Sequence, residues 1–213
     1  MAGPWLLQQS LDGMETYFGL AERTGGHTLI LNQMEALDAA ADTGSRTAVV
    51  PRLAIPDVSF RLDLFEDGLT FVSSRLLEAM ALPAGCADVG EVDAAACPPE
   101  VRGMNYRTLS LTMRVDALDR DESEGSIVEW VDGDGVARSE WMLTAPQPNR
   151  PTPRARWRRD LRPPADLFLV AGTSWRAATD ALAARVMAIG ATGLDFVDPV
   201  ASAATGDLVS RPR

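Results

Sequence analysis

"GLTFVSSRLLEAM", residues 68–80, sets the first expectation for the fold. Leu69, Thr70, Phe71 and Val72 are β-branched, aromatic or aliphatic and predict a short strand. Ser73 or Ser74 then offers a hydroxyl oxygen as a helix N-cap. Leu76, Leu77 and Met80 recur at helical spacing and predict a helix to about Ala81, stopped by Pro83 and Gly85. The order returns in "DLFLVAGTSWRAATDALAARVMAIGATGLDFVDP", residues 166–199. This stretch predicts a strand over 167–171 and a cap at Thr173 or Ser174. A helix to Ile189 follows, striped by Trp175, Leu182, Val186 and Ile189, then Gly190 and a closing strand. Neither unit can hide its apolar stripe alone. The expected fold is therefore α+β: a mixed, largely antiparallel sheet with two similar strand–helix units packed on it.

The segments between fill in that sheet. "VSFRLDLF", residues 58–65, alternates apolar Val58, Phe60, Leu62 and Leu64 with polar Ser59, Arg61 and Asp63, which predicts a strand with one wet face. "YRTLSLTMRV", residues 106–115, alternates in the same way and predicts one continuous strand at an antiparallel or edge position. "SIVEWVDGDGVARSEWML", residues 126–143, reads as a β-hairpin turning on Gly133 and Asp134. That register sets Val131 opposite Val136 and Glu129 opposite Arg138, with Trp130, Trp141, Val128 and Leu143 on one side. Residues 1–48 are weakly patterned. "HTLIL" (27–31) predicts a short strand, and "NQMEALDAAAD" (32–42) a helix with Asn32 and Glu35 as a capping box. "TAVVP" and "RLAIP" read as extended, since proline disfavours helix before it. Residues 144–166 hold six prolines and six arginines and predict an extended surface connection. Residues 200–213 read as a loose tail.

The chain has 213 residues, which suits one domain or two small lobes sharing a core, and it reads as a single domain over 1–213 that needs neither metal nor disulfide. Its formal net charge is −10, from 30 acids and 20 bases. Such a charge argues against nucleic acid as the main partner and is compatible with a basic protein. Cys86 and Cys97 lack metal-ligand spacing and read as buried or half-buried thiols of a reducing compartment. No apolar run approaches the roughly 20 residues of a membrane span, and the N-terminus lacks a leader pattern. The expected location is the cytoplasm, with no membrane partner.

Familiar catalytic arrangements are hard to build from these residues. His27 is the sole histidine and has no Cys/His cluster beside it, so it reads as a strand-end residue. "DGDG", residues 132–135, misses calcium-loop spacing, because Gly135 falls at the fourth position and Val136 at the fifth. "RTGG" and "AGTS" lack the glycine spacing that cradles phosphates. No catalytic residue, cofactor or metal is expected.

The strongest compositional signal is acidic. Asp116, Asp119, Asp121, Glu122, Glu124, Glu129, Asp132 and Asp134 are offset only by Arg120, giving −7 in nineteen residues. The run reads either as a solvated loop and charge-guarded hairpin edge or as a docking face for a basic protein. Residues 150–162 carry six arginines around Trp157. They read as a nucleic-acid contact or as a strap folded back onto the protein's own acids.

Three motifs carry a resemblance: Val72-Ser73-Ser74-Arg75-Leu76, Val115-Asp116-Ala117-Leu118-Asp119-Arg120, and Gly190-Ala191-Thr192-Gly193-Leu194-Asp195-Phe196. In this order the chain, from about residue 51 to 199, resembles the bacterial immunity-protein family numbered eleven, found in polymorphic toxin systems. It departs from that pattern at "LFLVAG", which lacks an arginine after phenylalanine, and in its longer, more basic connector. The resemblance implies an α+β fold and a protective role, in which the chain binds a cognate toxin and blocks it. The eight acids above would then form the partner-binding set. The alternatives are an enzyme using carboxylates and arginines, and a nucleic-acid adaptor working through the connector.

Overall fold

A computed structural model describes residues 4–23, 29–43, 49–144, 153–205 and 207–212. The fold is α+β, and the sheets are mostly antiparallel. The chain forms two compact units. One comprises Met1–Gln8, Met113–Ala183 and Phe196–Arg213; the other comprises Gln9–Thr112 and Ala184–Asp195.

The second of these contains the opening motif. Strands β2 (Leu64–Asp67) and β3 (Leu69–Val72) flank Gly68, whose φ of 64° suits a residue without a Cβ. With β4 (Ala87–Gly90) and β5 (Arg107–Leu111) they form an antiparallel sheet in the order β2-β3-β5-β4. Helix α3 (Ser74–Met80) starts as expected: Ser73 Oγ accepts from Leu76 N–H at 3.2 Å. The core is built on aromatic rings. Phe65 and Phe71 face each other across β2 and β3 and stack at 4.7 Å, and Tyr17, Phe60 and Tyr106 pack around Phe65. Helix α1 (Leu11–Arg23) supplies Tyr17 and Leu20 to this core. The short α4 (Pro99–Arg102) supplies Val101. Helix α2 (Gln33–Thr43) begins where Asn32 predicts. The capping-box expectation does not hold, because the Asn32 side chain instead bonds Val50 O at 3.0 Å and Arg52 N–H at 2.7 Å. His27 lies outside the described residues. Of the strand read around it, an isolated bridge from Ile30 to Leu53 appears.

The other unit holds most of a five-stranded sheet, ordered β11-β1-β10-β9-β6. Its strands are β1 (Trp5–Gln9), β6 (Arg114–Val115), β9 (Leu167–Val170), β10 (Arg176–Ala178) and β11 (Leu194–Val197). The β6–β9 pair is parallel. This arrangement corrects the reading of a second strand–helix unit. Thr173 and Trp175 sit in a turn, where Thr173 Oγ1 bonds Val170 O and Trp175 N–H, and the chain returns as β10. Helix α5 (Asp180–Ala188) begins later, with Thr179 Oγ1 accepting from Leu182 N–H at 3.3 Å. The expected strand over 106–115 is two strands, β5 and β6, lying in different sheets with Thr112 and Met113 between them. Residues 58–63 form no strand despite their alternation. The described part of the tail does not read as loose: α6 (Pro199–Thr205) is followed by a bridge from Val197 to Ser210, and Arg211 bonds Asp180 Oδ1 at 3.0 Å.

Strands β7 (Gly125–Val131) and β8 (Ala137–Leu143) form the predicted hairpin as a separate two-stranded sheet. The register differs by one residue. Glu129 faces Ser139, Trp130 faces Arg138 and Val131 faces Ala137, leaving a five-residue turn at 132–136. Asp132 sets that turn: its Oδ1 accepts from Asp134 and Val136 N–H, and its Oδ2 from Arg138 Nε at 2.9 Å. A one-residue slip exchanges faces. Trp130 and Trp141 therefore lie on opposite sides of the hairpin, not together.

Candidate functional site

The eight acids divide into two groups. Asp116, Asp119, Asp121, Glu122 and Glu124 occupy the loop before β7; Glu129 lies on β7, and Asp132 and Asp134 lie in the turn. The loop group is bound to the arginine connector. Its backbone lies along residues 154–158: Asp119 N–H donates to Arg156 O at 2.8 Å, Arg158 N–H to Ala117 O at 3.0 Å, and Glu124 N–H to Arg154 O at 2.9 Å. Leu118 and Trp157 form a bridge, and Leu118 and Ala155 are buried. Side chains follow the backbone. Arg158 approaches Asp116 at 3.5 Å and Asp160 at 3.0 Å, and Arg156 and Arg159 lie about 4 Å from Glu122. Arg120 pairs with Asp116 and lies 5.7 Å from the centre of the Trp141 ring. Asp160 beside Arg158 holds that guanidinium above its ordinary pKa, and Arg158 in turn holds Asp160 below the usual carboxylate range. Residues 154–159 of the connector thus lie against Asp116, Glu122 and Glu124. A cleft of about 780 Å³ is lined by Arg156, Arg158, Arg159 and Arg162. Three of these four direct their charge at the loop acids or Asp160.

The hairpin presents a different surface. Every residue of β7 is exposed. Ile127 is 69% exposed, Val131 66% and Trp130 41%, and Val128, Val136 and Met142 are also open. Glu129, Asp134 and Glu140 stand exposed among them. The bonds from Val136 N–H first, then Arg138, hold the Asp132 carboxyl below its ordinary range, so the turn stays charged. One side of the hairpin is anchored: the Trp141 ring packs over Gly125 and against the cluster containing Leu118, Phe168 and Val170. Trp130 points the other way. Each face of the hairpin thus sets exposed apolar groups beside a carboxylate, Ile127 and Val131 with Glu129 and Val128 and Trp130 with Glu140, and exposed apolar groups rimmed by polar ones suit a protein-binding surface. The sequence carries a sign of it. In "SIVEWV" Ile127, Val128, Trp130 and Val131 put apolar groups on both faces of one strand, a pattern expected of a strand covered on both sides.

A second cluster escaped the sequence reading. Asp63 has no exposed surface. Its carboxylate accepts from Ser73 Oγ at 2.6 Å, Arg75 Nε at 2.7 Å and Nη2, Thr192 N–H at 2.9 Å and Thr192 Oγ1 at 3.1 Å. Burial raises its pKa, but the bonds from Arg75, Ser73 and Thr192 outweigh burial and hold it below the ordinary value. Gly193 follows with φ of 82°, and a Cβ there would lie 2.2 Å from Leu64 O. Two of the three resemblance motifs therefore meet at one buried carboxylate, and their hydroxyl and arginine groups hold the fold together. Asp63 lines neither the 780 Å³ cleft nor the shallower one beside Asp119.

Cys86 and Cys97 are buried and not joined in a disulfide. Among the described residues no His/Cys/Asp/Glu group is placed to hold a metal ion, and no helix is long and apolar enough to cross a membrane. Compared with known proteins, the chain matches no family model. It also matches no curated protein sequence.

Proposed function

We propose that this chain is an immunity protein: it binds a cognate bacterial toxin stoichiometrically in the cytoplasm and blocks it, turning over no substrate. The exposed hairpin carries this reading. Ile127, Val128, Trp130 and Val131 offer apolar anchors, and Glu129, Asp134 and Glu140 surround them with negative charge. A basic toxin surface complements both that hairpin and the net charge of −10. The resemblance to immunity family eleven suggests the class of partner. The docking face is drawn accordingly on the hairpin rather than the full acidic run, since Asp116 and Glu122 are paired with Arg156, Arg158 and Arg159, and Glu124 accepts from Arg154 N–H. An interface of this kind buries roughly 1,200–2,000 Å² in total.

The test is to look for a toxin reading frame beside this chain's gene and to co-express the two. Restored growth and a one-to-one complex at low salt are expected. Toxicity that persists, with no complex at low salt, overturns the reading.

A further inference from the structure

Three bonds just outside the hairpin strands fix which backbone groups point outward. Asp132 N–H donates to Val136 O at 3.0 Å and Thr144 N–H to Glu124 O at 2.8 Å, whereas Leu143 N–H turns away to Gly172 O at 3.0 Å. Positions 132/136 and 124/144 continue the pairing Ser126↔Met142, Val128↔Glu140 and Trp130↔Arg138 at steps of two. Bonded and non-bonded pairs alternate in an antiparallel ladder. Even-numbered residues of β7 therefore spend their backbone groups on β8. Ile127, Glu129 and Val131 turn N–H and C=O outward, at the edge of a sheet with only two strands. Among the described residues nothing bonds to these groups. The outer edge of β8 differs. Gly172 takes Leu143 N–H and lies so close to Trp141 O that a Cβ on it would sit 2.2 Å away.

Proteins normally protect such an edge with charge, proline or a covering segment. Here Ile127 and Val131 flank a single charge, Glu129, and all three side chains share one face. An added strand would place alternate residues opposite these three. The hairpin, residues 125–143, carries Glu129, Asp132, Asp134 and Glu140 against Arg138, a net of −3. We propose that the outer edge of β7 takes an extended, basic segment of the toxin as a third strand, with apolar, basic and apolar side chains at alternate positions. Main-chain bonds supply affinity in this mode and alternate side chains supply specificity. Seven residues span roughly 20 Å, which accommodates two backbone bonds at each of the three outward residues. The partner's identity rests on the immunity reading; the edge geometry does not.

Two measurements on the full chain test the edge. Glu129→Pro removes the outward N–H and obstructs an incoming strand, yet touches no β7–β8 bond; Glu129→Gln keeps the backbone and removes the charge. Toxin affinity is expected to fall at least 100-fold with Glu129→Pro and less than 10-fold with Glu129→Gln. Amide hydrogen exchange on the wild-type chain then reads the edge directly. The probes are the toxin and a synthetic heptapeptide with valine, arginine and valine at alternate positions and threonine between. Both should slow exchange at Ile127, Glu129 and Val131 more than 10-fold and leave Val128 and Trp130 unchanged. If Glu129→Pro neutralises the toxin as wild type does, with those amides unprotected, the edge proposal is overturned and the immunity reading stands. If the toxin does not bind but the peptide protects the odd-numbered amides, the immunity reading falls and the edge stands. Protection by neither sinks both.

Discussion

Asp63 shows how one side chain ties distant segments together. Its carboxylate joins Ser73, Arg75 and Thr192, which lies 129 positions away. Replacing Arg75 by methionine leaves a buried carboxylate without its counter-charge and should cost about 3 kcal/mol in chemical denaturation. Asp63→Asn keeps the shape, weakens the charge-assisted bonds and should cost about 2 kcal/mol. The pH dependence separates the two effects. Because the folded-state pKa is depressed, the ionised group contributes stability above its unfolded value of about 3.9, lost as pH falls through the folded value. Denaturation midpoints of the wild type should therefore drop below about pH 4 more steeply than those of Asp63→Asn; parallel curves would refute the assignment. Gly193→Ala places a Cβ against Leu64 O at positive φ and should destabilise by more than about 2 kcal/mol. The serine cap at Ser73 was legible because capping is local chemistry. Asp63 was not. Period-two alternation assigned it to a wet face, but residues 58–63 join no ladder and its partners are set by tertiary contacts.

At the scale of elements, the hairpin and its neighbours separate what packs from what binds. Trp141 covers Gly125 and joins the cluster around Phe168; Trp130 faces Arg138 and remains 41% exposed. Trp141→Ala should lower stability by about 2 kcal/mol, since a half-buried ring is lost from a packed cluster. Trp130→Ala should leave stability within about 0.5 kcal/mol, yet weaken toxin binding by about 2 kcal/mol, roughly 30-fold in Kd. Thermal melts and titration calorimetry on the two variants check this, and equal effects on both readouts would contradict it. The slip in the hairpin register has a local cause. Asp-Gly pairs signal a tight turn, but the Asp132 carboxylate bonds Asp134 and Val136 N–H and stabilises a five-residue turn instead. Helix α5 misled for a related reason. Thr173 and Ser174 look like caps, but the Thr173 hydroxyl closes a turn and the functioning cap is Thr179. Hydroxyl residues serve turns and helix starts equally well, so composition alone does not choose between them.

For the whole molecule, net charge decides how an encounter begins, and local pairing decides which charges steer it. The chain carries −10, but two of the loop acids, Asp116 and Glu122, already have Arg156, Arg158 or Arg159 within about 4 Å. A charge paired so closely looks almost neutral from beyond a Debye length, about 8 Å at physiological ionic strength. Hairpin acids Glu129, Asp134 and Glu140 have no ion pair among the described residues, so their field reaches solvent. The acidic run gave away the sign of the field in the sequence, but not which half of it remains unpaired. That depended on a proline- and arginine-rich segment some thirty residues downstream lying back along the loop, with Leu118 and Ala155 buried between. Reversing Glu129, Asp134 and Glu140 together should slow association with a basic toxin by about 10-fold or more at low salt. Reversing Asp116 and Glu122 should change it less than about threefold, because Arg120, Arg156, Arg158 and Arg159 then lose partners and partly offset the new charge. Stopped-flow association rates across an ionic-strength series provide the measurement. The hairpin variant should lose most of the salt dependence and the loop variant should keep it. The opposite order would place the steering charge on residues 116–124 and remove the hairpin as the first point of contact.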